Sequence, residues 1–129
     1  MFRFRLDGST GVPPYLQLDH QVRQSMLLGY LLQGDRLPTV KDVAGDLAIN
    51  PNTVVKAYRQ LEHEGLAAGR PGQGTFITGS LSPDPPGAQQ ALRESLEKWL
   101  RDAENAGLSD DAVTALIAVA RHDVNKEKV

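Results

Sequence analysis

Cysteine is missing from this chain. Disulfides and thiolate metal sites are therefore excluded. Long apolar runs are missing too. No stretch approaches the ~18 residues of a membrane span, and the longest helix-like segments are amphipathic. The opening Met1-Phe2-Arg3-Phe4-Arg5 lacks the apolar run of a secretory signal. These absences predict a cytoplasmic protein with no membrane partner. Histidine is scarce: His20, His63 and His122 are scattered and form no i, i+4 pair, so no metal site is expected. No nucleophile–base pair can be placed. Asp110-Asp111 reads as a helix start, and Gly72-Gln73-Gly74 is too short to cradle a phosphate and precedes a strand. An enzyme is the weakest reading, and no cofactor is expected. A strong charge of one sign is also lacking: the net charge is −2, which by itself argues against a nucleic-acid partner.

The charge is unevenly spread. Residues 1–79 carry eight basic and seven acidic side chains, and residues 80–129 carry six and nine. A length of 129 residues suits one domain, or one domain with a small appendage. Phe2-Arg3-Phe4-Arg5-Leu6 alternates as a short strand would, and Asp7 to Gly11 is a turn. Pro13-Pro14 opens a helix whose apolar face runs through Tyr15, Leu18, Val22, Met26, Leu27, Tyr30 and Leu31, with Gly34 as its left-handed cap.

Thr39 is an N-cap for a short second helix with a stripe of Val40, Val43, Ala44 and Leu47. Ala48-Ile49 turn the chain into Asn50, a second N-cap, followed by Pro51 at the first helical position. Val54, Ala57, Tyr58 and Leu61 then form a buried stripe, which places Tyr58 in the core. The opposite face starts with Asn52 and Thr53 and continues with Lys56 and Arg59. Two short helices joined by a tight turn, the second with an exposed polar start, make a helix-turn-helix. Gly65 closes it. Leu66–Ala68 and Thr75–Thr78 are strand candidates around Gly69-Arg70-Pro71-Gly72-Gln73-Gly74, a hairpin tip with one cation. Such a hairpin is a wing, able to lie along the DNA backbone or in the minor groove.

A Pro-rich linker over residues 80–87 separates this domain, residues 1–79, from a helical tail, residues 88–129. The first tail helix runs from Ala88 to Ala106 and carries Leu92, Leu96, Trp99, Leu100 and Ala103 on one face. Ser109 caps the second, whose stripe is Val113, Leu116, Ile117, Ala120 and Val124. Two such helices cannot bury their stripes against each other alone. Either the winged domain or a second copy of the chain must cover them, and the Pro-rich linker favours the second copy. Leu92, Leu96, Trp99, Leu100, Val113, Leu116, Ile117 and Ala120 are the candidate dimerisation residues.

Several stretches resemble, in one register over residues 12–78, the GntR family of bacterial winged helix-turn-helix regulators. They are Tyr15-Leu16-Gln17-Leu18, Gly34 to Ala44, Asn50-Pro51-Asn52-Thr53-Val54, Lys56 to Glu62, Glu64-Gly65-Leu66 and Gly72 to Ile77. The short two-helix tail is similar to that of the YtrA subfamily, in which it serves dimerisation. The resemblance implies a homodimeric transcription factor, usually a repressor and often of transporter operons. It places DNA contacts on Lys41, on Pro51, Asn52, Thr53 and Val55, and on Gly72 with its neighbour Gln73. Arg36, Thr39, Lys56, Arg59 and Arg70 complete the candidate set. Arg36 has a competing reading as the ion-pair partner of Asp35. Lys41 stands where the family commonly has arginine, which turns a bidentate contact into a point charge. Val55 stands where a basic or amide side chain is common, so its base contact is apolar or absent.

The expected fold is thus mainly α: an N-terminal winged helix-turn-helix domain of three helices plus a β-hairpin wing, with a C-terminal two-helix dimerisation tail. The expected partners are a double-stranded operator and a second copy of the chain. No small-molecule effector is identifiable. A winged-helix protein-interaction module that binds no DNA is the alternative from a different class.

Overall fold

A computed structural model describes residues 2–81 and 89–128. Two compact units lie on either side of the intervening stretch. Most of the expected linker, residues 80–87, and the expected helix start at Ala88 lie outside the described residues. The first unit has the order α1 (Pro14–Leu27), α2 (Val40–Leu47), α3 (Pro51–His63), β1 (Ala67–Arg70), β2 (Gly74–Ile77). The second has α4 (Gln90–Asn105) and α5 (Asp110–Lys126). The architecture is the expected one, mainly helical with a winged helix-turn-helix.

The helix starts follow their capping chemistry. The Thr39 hydroxyl accepts from the Asp42 N–H at 3.1 Å, and Asn50 Oδ1 accepts from the Asn52 N–H at 2.8 Å. Each satisfies a donor that has no partner inside its helix. Between the two helices, Ala48 takes a left-handed conformation (φ 53°). That costs a residue with a Cβ about 1–2 kcal/mol, and it ends α2 so that α3 crosses it. Val54, Ala57, Tyr58 and Leu61 are all buried, as are Val43 and Ala44 of α2 and Leu18, Val22 and Met26 of α1. Complete burial of Val54 and Leu61 contributes about 1.5–3 kcal/mol each.

Three expectations are corrected. First, α1 ends at Leu27 rather than near Gly34. Gly29 takes φ 76°, its N–H reaches the Met26 carbonyl and the Tyr30 N–H reaches that of Ser25, a left-handed stop of the Schellman type. Gly34 is also left-handed, but it serves the later turn. Leu27 and Tyr30, expected on the core face, are exposed in consequence. Second, Phe2–Leu6 belongs to no strand. Its apolar side chains do alternate inward. Side-chain amides of α1 take the place of a neighbouring strand: Gln21 exchanges two hydrogen bonds with the Arg5 backbone, at 3.0 and 2.6 Å, and Gln17 receives the Asp7 N–H at 2.8 Å.

Third, the wing strands run further into the hairpin than expected. Ala67 faces Ile77 and Arg70 faces Gly74, which leaves residues 71–73 as the turn. The connector from α1 to α2 also joins this sheet. Arg36 bridges to Phe76, and the Leu37 N–H donates to the Thr75 carbonyl at 2.9 Å.

In the second unit, Ser109 caps α5 by accepting from the Ala112 N–H at 3.2 Å. Ala103 is the one buried residue among those described there. Leu92 is 74% exposed, and Leu96, Trp99, Leu100 and Leu116 are exposed with it. Val113 and Ile117 are half-buried, and Ala120 is exposed. Two such helices leave their apolar stripes in water. No helix among the described residues is long and apolar enough to cross a membrane.

Candidate nucleic-acid interface

α3 supplies the centre of the candidate surface. Burying Val54, Ala57 and Leu61 turns the opposite stripe outward, and 3.6-residue periodicity puts Asn52, Lys56 and Arg59 on it. All three are exposed, as is Pro51 at the helix start. Thr53 and Val55 flank the stripe and are half-buried. The first turn is fixed by the Asn50 cap and by Pro51, so Asn52 and Thr53 are held on a rigid element rather than a loop.

Tyr58 ties α3 to the entry of α2. Its side chain is 3% exposed, and its hydroxyl donates to the Pro38 carbonyl at 2.6 Å. Burial pushes its phenol well above the ordinary tyrosine range. This contact orients the segment carrying Thr39 and Lys41, both at the start of α2. Lys41 is exposed, and Thr39 is half-buried with its oxygen engaged in the cap.

The cations sit in different surroundings. The Lys56 ammonium stands 3.8 Å from the centroid of the Tyr15 ring on α1. The Arg70 guanidinium lies 4.7 Å from that of Phe76, across the wing. Both contacts hold a charge in place by the ring's electron-rich face without neutralising it. Arg36 does not pair with Asp35, whose carboxylate instead accepts from the Leu32 N–H at 2.9 Å. The Arg36 side chain lies across the wing backbone: a Cβ on Gly74 would stand 2.8 Å from its Nε. Sheet register puts Arg36, Phe76 and Ala68 on one face, with Arg70 and Gly74 two residues along it. Arg36 and Arg70 therefore share one face of the wing. Gly72 and Gln73 lie exposed in its turn.

Among the described residues, Arg36, Lys41, Lys56, Arg59 and Arg70 form no ion pair. In the same unit Arg23 is paired with both Asp19, at 2.7 Å, and Glu64. Arg23 neutralises a buried carboxylate and ties α1 to the end of α3. The sequence reading missed this pairing, along with the rings under Lys56 and Arg70. No group of acidic, histidine or cysteine side chains suited to a metal ion occurs among the described residues.

Comparison with known proteins fits this geometry. The family described as bacterial regulatory proteins, gntR family, matches residues 14–77. The HTH-type transcriptional repressor YtrA of Bacillus subtilis (strain 168) is 32% identical over 125 residues, covering 96% of both chains. YtrA from Sulfolobus acidocaldarius, a GntR-family transcription factor of known structure, superposes with a TM-score of 0.55 at 26% identity, over 76% of this chain and 97% of that one. The AraR DNA-binding domain, solved in complex with operator ORE1, shares the fold with a TM-score of 0.50 at 24% identity, over 60% of this chain and 95% of its own. The chain belongs to the gntR family of bacterial regulatory proteins: it is a transcriptional regulator with that family's winged helix-turn-helix DNA-binding domain, and not an enzyme.

Proposed function

We propose that the protein is a sequence-specific repressor that binds a two-fold operator as a homodimer. The observation that carries this reading is the set of five cations on the helix-turn-helix and wing that form no ion pair among the described residues, beside one structural arginine, Arg23, that does. Charges kept out of ion pairs are available to phosphates, and their release of counterions supplies most of the affinity. Asn52 and Thr53, at the rigid start of α3, carry direct base reading, and Val55 adds an apolar contact to a thymine methyl. Arg36 and Arg70 bring the wing face to the backbone.

The uncovered stripes of α4 and α5 support the dimer: Leu92, Leu96, Trp99, Leu100, Val113, Leu116, Ile117 and Ala120 require an apolar partner, and a second copy provides a self-complementary one. The residue ranges 1–79, 80–87 and 88–129 then act as reading head, linker and dimerisation tail. The repressor role follows the B. subtilis relative, which is named a repressor and aligns along nearly its whole length.

The test is selection of bound fragments from a random DNA pool, followed by anisotropy titration of the enriched sequence at several salt concentrations. The expected site is palindromic, with half-sites about one helical turn, ~34 Å, apart. Log affinity should fall with log salt by about 0.9 for each phosphate neutralised. No enrichment and no retained complex at low salt would overturn the reading in favour of a protein-interaction module.

A further inference from the structure

We propose that the groove between the N-terminal arm and α2 binds a small zwitterionic amphiphile, and that its occupation withdraws Arg36 from the operator. Residues 2–4 and α2 line a half-open groove of about 630 Å³, within the range of small-molecule sites. Its floor is apolar, made by Phe2, Phe4, Leu37, Val43 and Leu47. Phe2 and Phe4 meet edge to face at 4.7 Å and form an aromatic wall. The arm has no strand partner, and the Gln21 amide holds it at Arg5. The groove can therefore widen without breaking a sheet.

The rim is charged. Arg3 and Arg36 come from the arm and the connector, and Asp42 and Asp46 stand one turn apart on α2. All four are exposed, and none is in an ion pair among the described residues. An apolar floor under unpaired charges of both signs, segregated by element, complements an apolar body with an anionic group at one end and an ammonium at the other. A ligand with only an anion would face Asp42 and Asp46 uncompensated, and one with only a cation would face the arginines, so the rim discriminates against both.

Arg36 joins this groove to the wing, because the residue lines the cavity and its guanidinium lies over Gly74. An anionic group in the groove competes for it with a DNA phosphate. This coupling, unlike the site itself, rests on the operator reading. Linkage then requires ligand and operator to weaken each other by the same factor.

The site is tested on the full-length protein without DNA, by NMR titration with ω-aminooctanoic acid, octanoic acid and octylamine. Saturable shifts at Phe2, Phe4, Val43 and Leu47 are expected with the amino acid, at an affinity about tenfold above either singly charged probe. The exposed double substitution Asp42→Asn, Asp46→Asn should erase the preference over octanoic acid, and an unchanged spectrum elsewhere shows that the variant is folded. Shifts that do not saturate, that fall elsewhere, or that are equal for the three probes would overturn the site. The coupling is then read with the selected operator. A drop in operator affinity equal to the drop in probe affinity caused by DNA supports it, and probe binding with unchanged operator affinity overturns it. Failure to select any operator counts against the repressor reading and leaves the probe titration fully interpretable.

Discussion

Replacing Tyr58 by Phe removes one oxygen from the joint between the recognition helix and α2, and its cost should change sign with pH. At neutral pH the variant loses the 2.6 Å hydrogen bond to the Pro38 carbonyl. A neutral hydrogen bond is worth about 0.5–1.5 kcal/mol net. Pro38 is only half-buried, so water can reach its carbonyl in the variant, and the cost stays near about 1 kcal/mol. For a unit of this size that lowers Tm by about 4–8 °C.

Alkaline pH reverses the balance. Burial raises the Tyr58 phenol in the folded state above the ordinary value of 10.0, so between the two values the folded protein keeps a proton that the unfolded chain gives up. Stability from this group is complete below pH 10 and is lost as pH rises through the folded value. At pH 11 the loss is about 1.4 kcal/mol, which offsets the hydrogen bond. The two proteins should therefore be equally stable near pH 11, and the variant more stable beyond it. Urea unfolding of both proteins at pH 7, 10 and 11 measures this, because every other titrating group cancels in the difference. A difference that stays constant from pH 7 to pH 11 would refute the raised phenol, and no difference at pH 7 would refute the hydrogen bond.

Gly74→Ala should destabilise the wing by about 1–2 kcal/mol, because φ is 121° there and the new Cβ meets Arg36 Nε at 2.8 Å. Urea unfolding reads the cost, and operator titration should show weaker binding as Arg36 is displaced. Arg23→Ala leaves the Asp19 carboxylate buried without its partner and should cost about 3–5 kcal/mol. The double substitution Arg23→Ala, Asp19→Asn should recover a large part of that, and an equal loss in both would exclude an unpaired charge as the cause. Leu96→Asp with Trp99→Asp should convert a two-chain mass in sedimentation to a one-chain mass without changing the winged unit's circular dichroism, and a wild-type monomer would remove the dimer.

What could be read from the sequence divides by the range of the interaction that decides it. The caps at Thr39, Asn50 and Ser109 are settled within three residues, by a side-chain oxygen and the N–H that it accepts from. The buried stripe of α3 is settled within one helix, and its complement named the exposed face that includes Asn52, Lys56 and Arg59. The end of α1 was misplaced because apolar residues continue through Leu27, Leu28, Leu31 and Leu32. Periodicity carries on past the left-handed Gly29 that stops the helix. The strand expected at Phe2–Leu6 failed for a different reason: alternation reports which side chains turn inward, not what pairs with the backbone, and here Gln21 does the pairing.

The same limit governs the candidate site. Which residues face outward on α3 is a local property and could be read. Which cations are held, and by what, depends on contacts such as Lys56 with Tyr15, Arg36 with the wing backbone, and Arg23 with Asp19 and Glu64. Tyr15, the wing backbone and Glu64 each lie on a different element from the cation they hold, whereas Asp19 stands one turn from Arg23 on α1 itself. Within the winged unit, Arg23 is used up in packing, while Arg36, Lys41, Lys56, Arg59 and Arg70 form no ion pair among the described residues and stay on the reading surface. Net charge alone argued against a nucleic-acid partner. The paired state of each cation is the better guide, because a phosphate competes with the carboxylates that already hold a charge rather than with the sum over the chain.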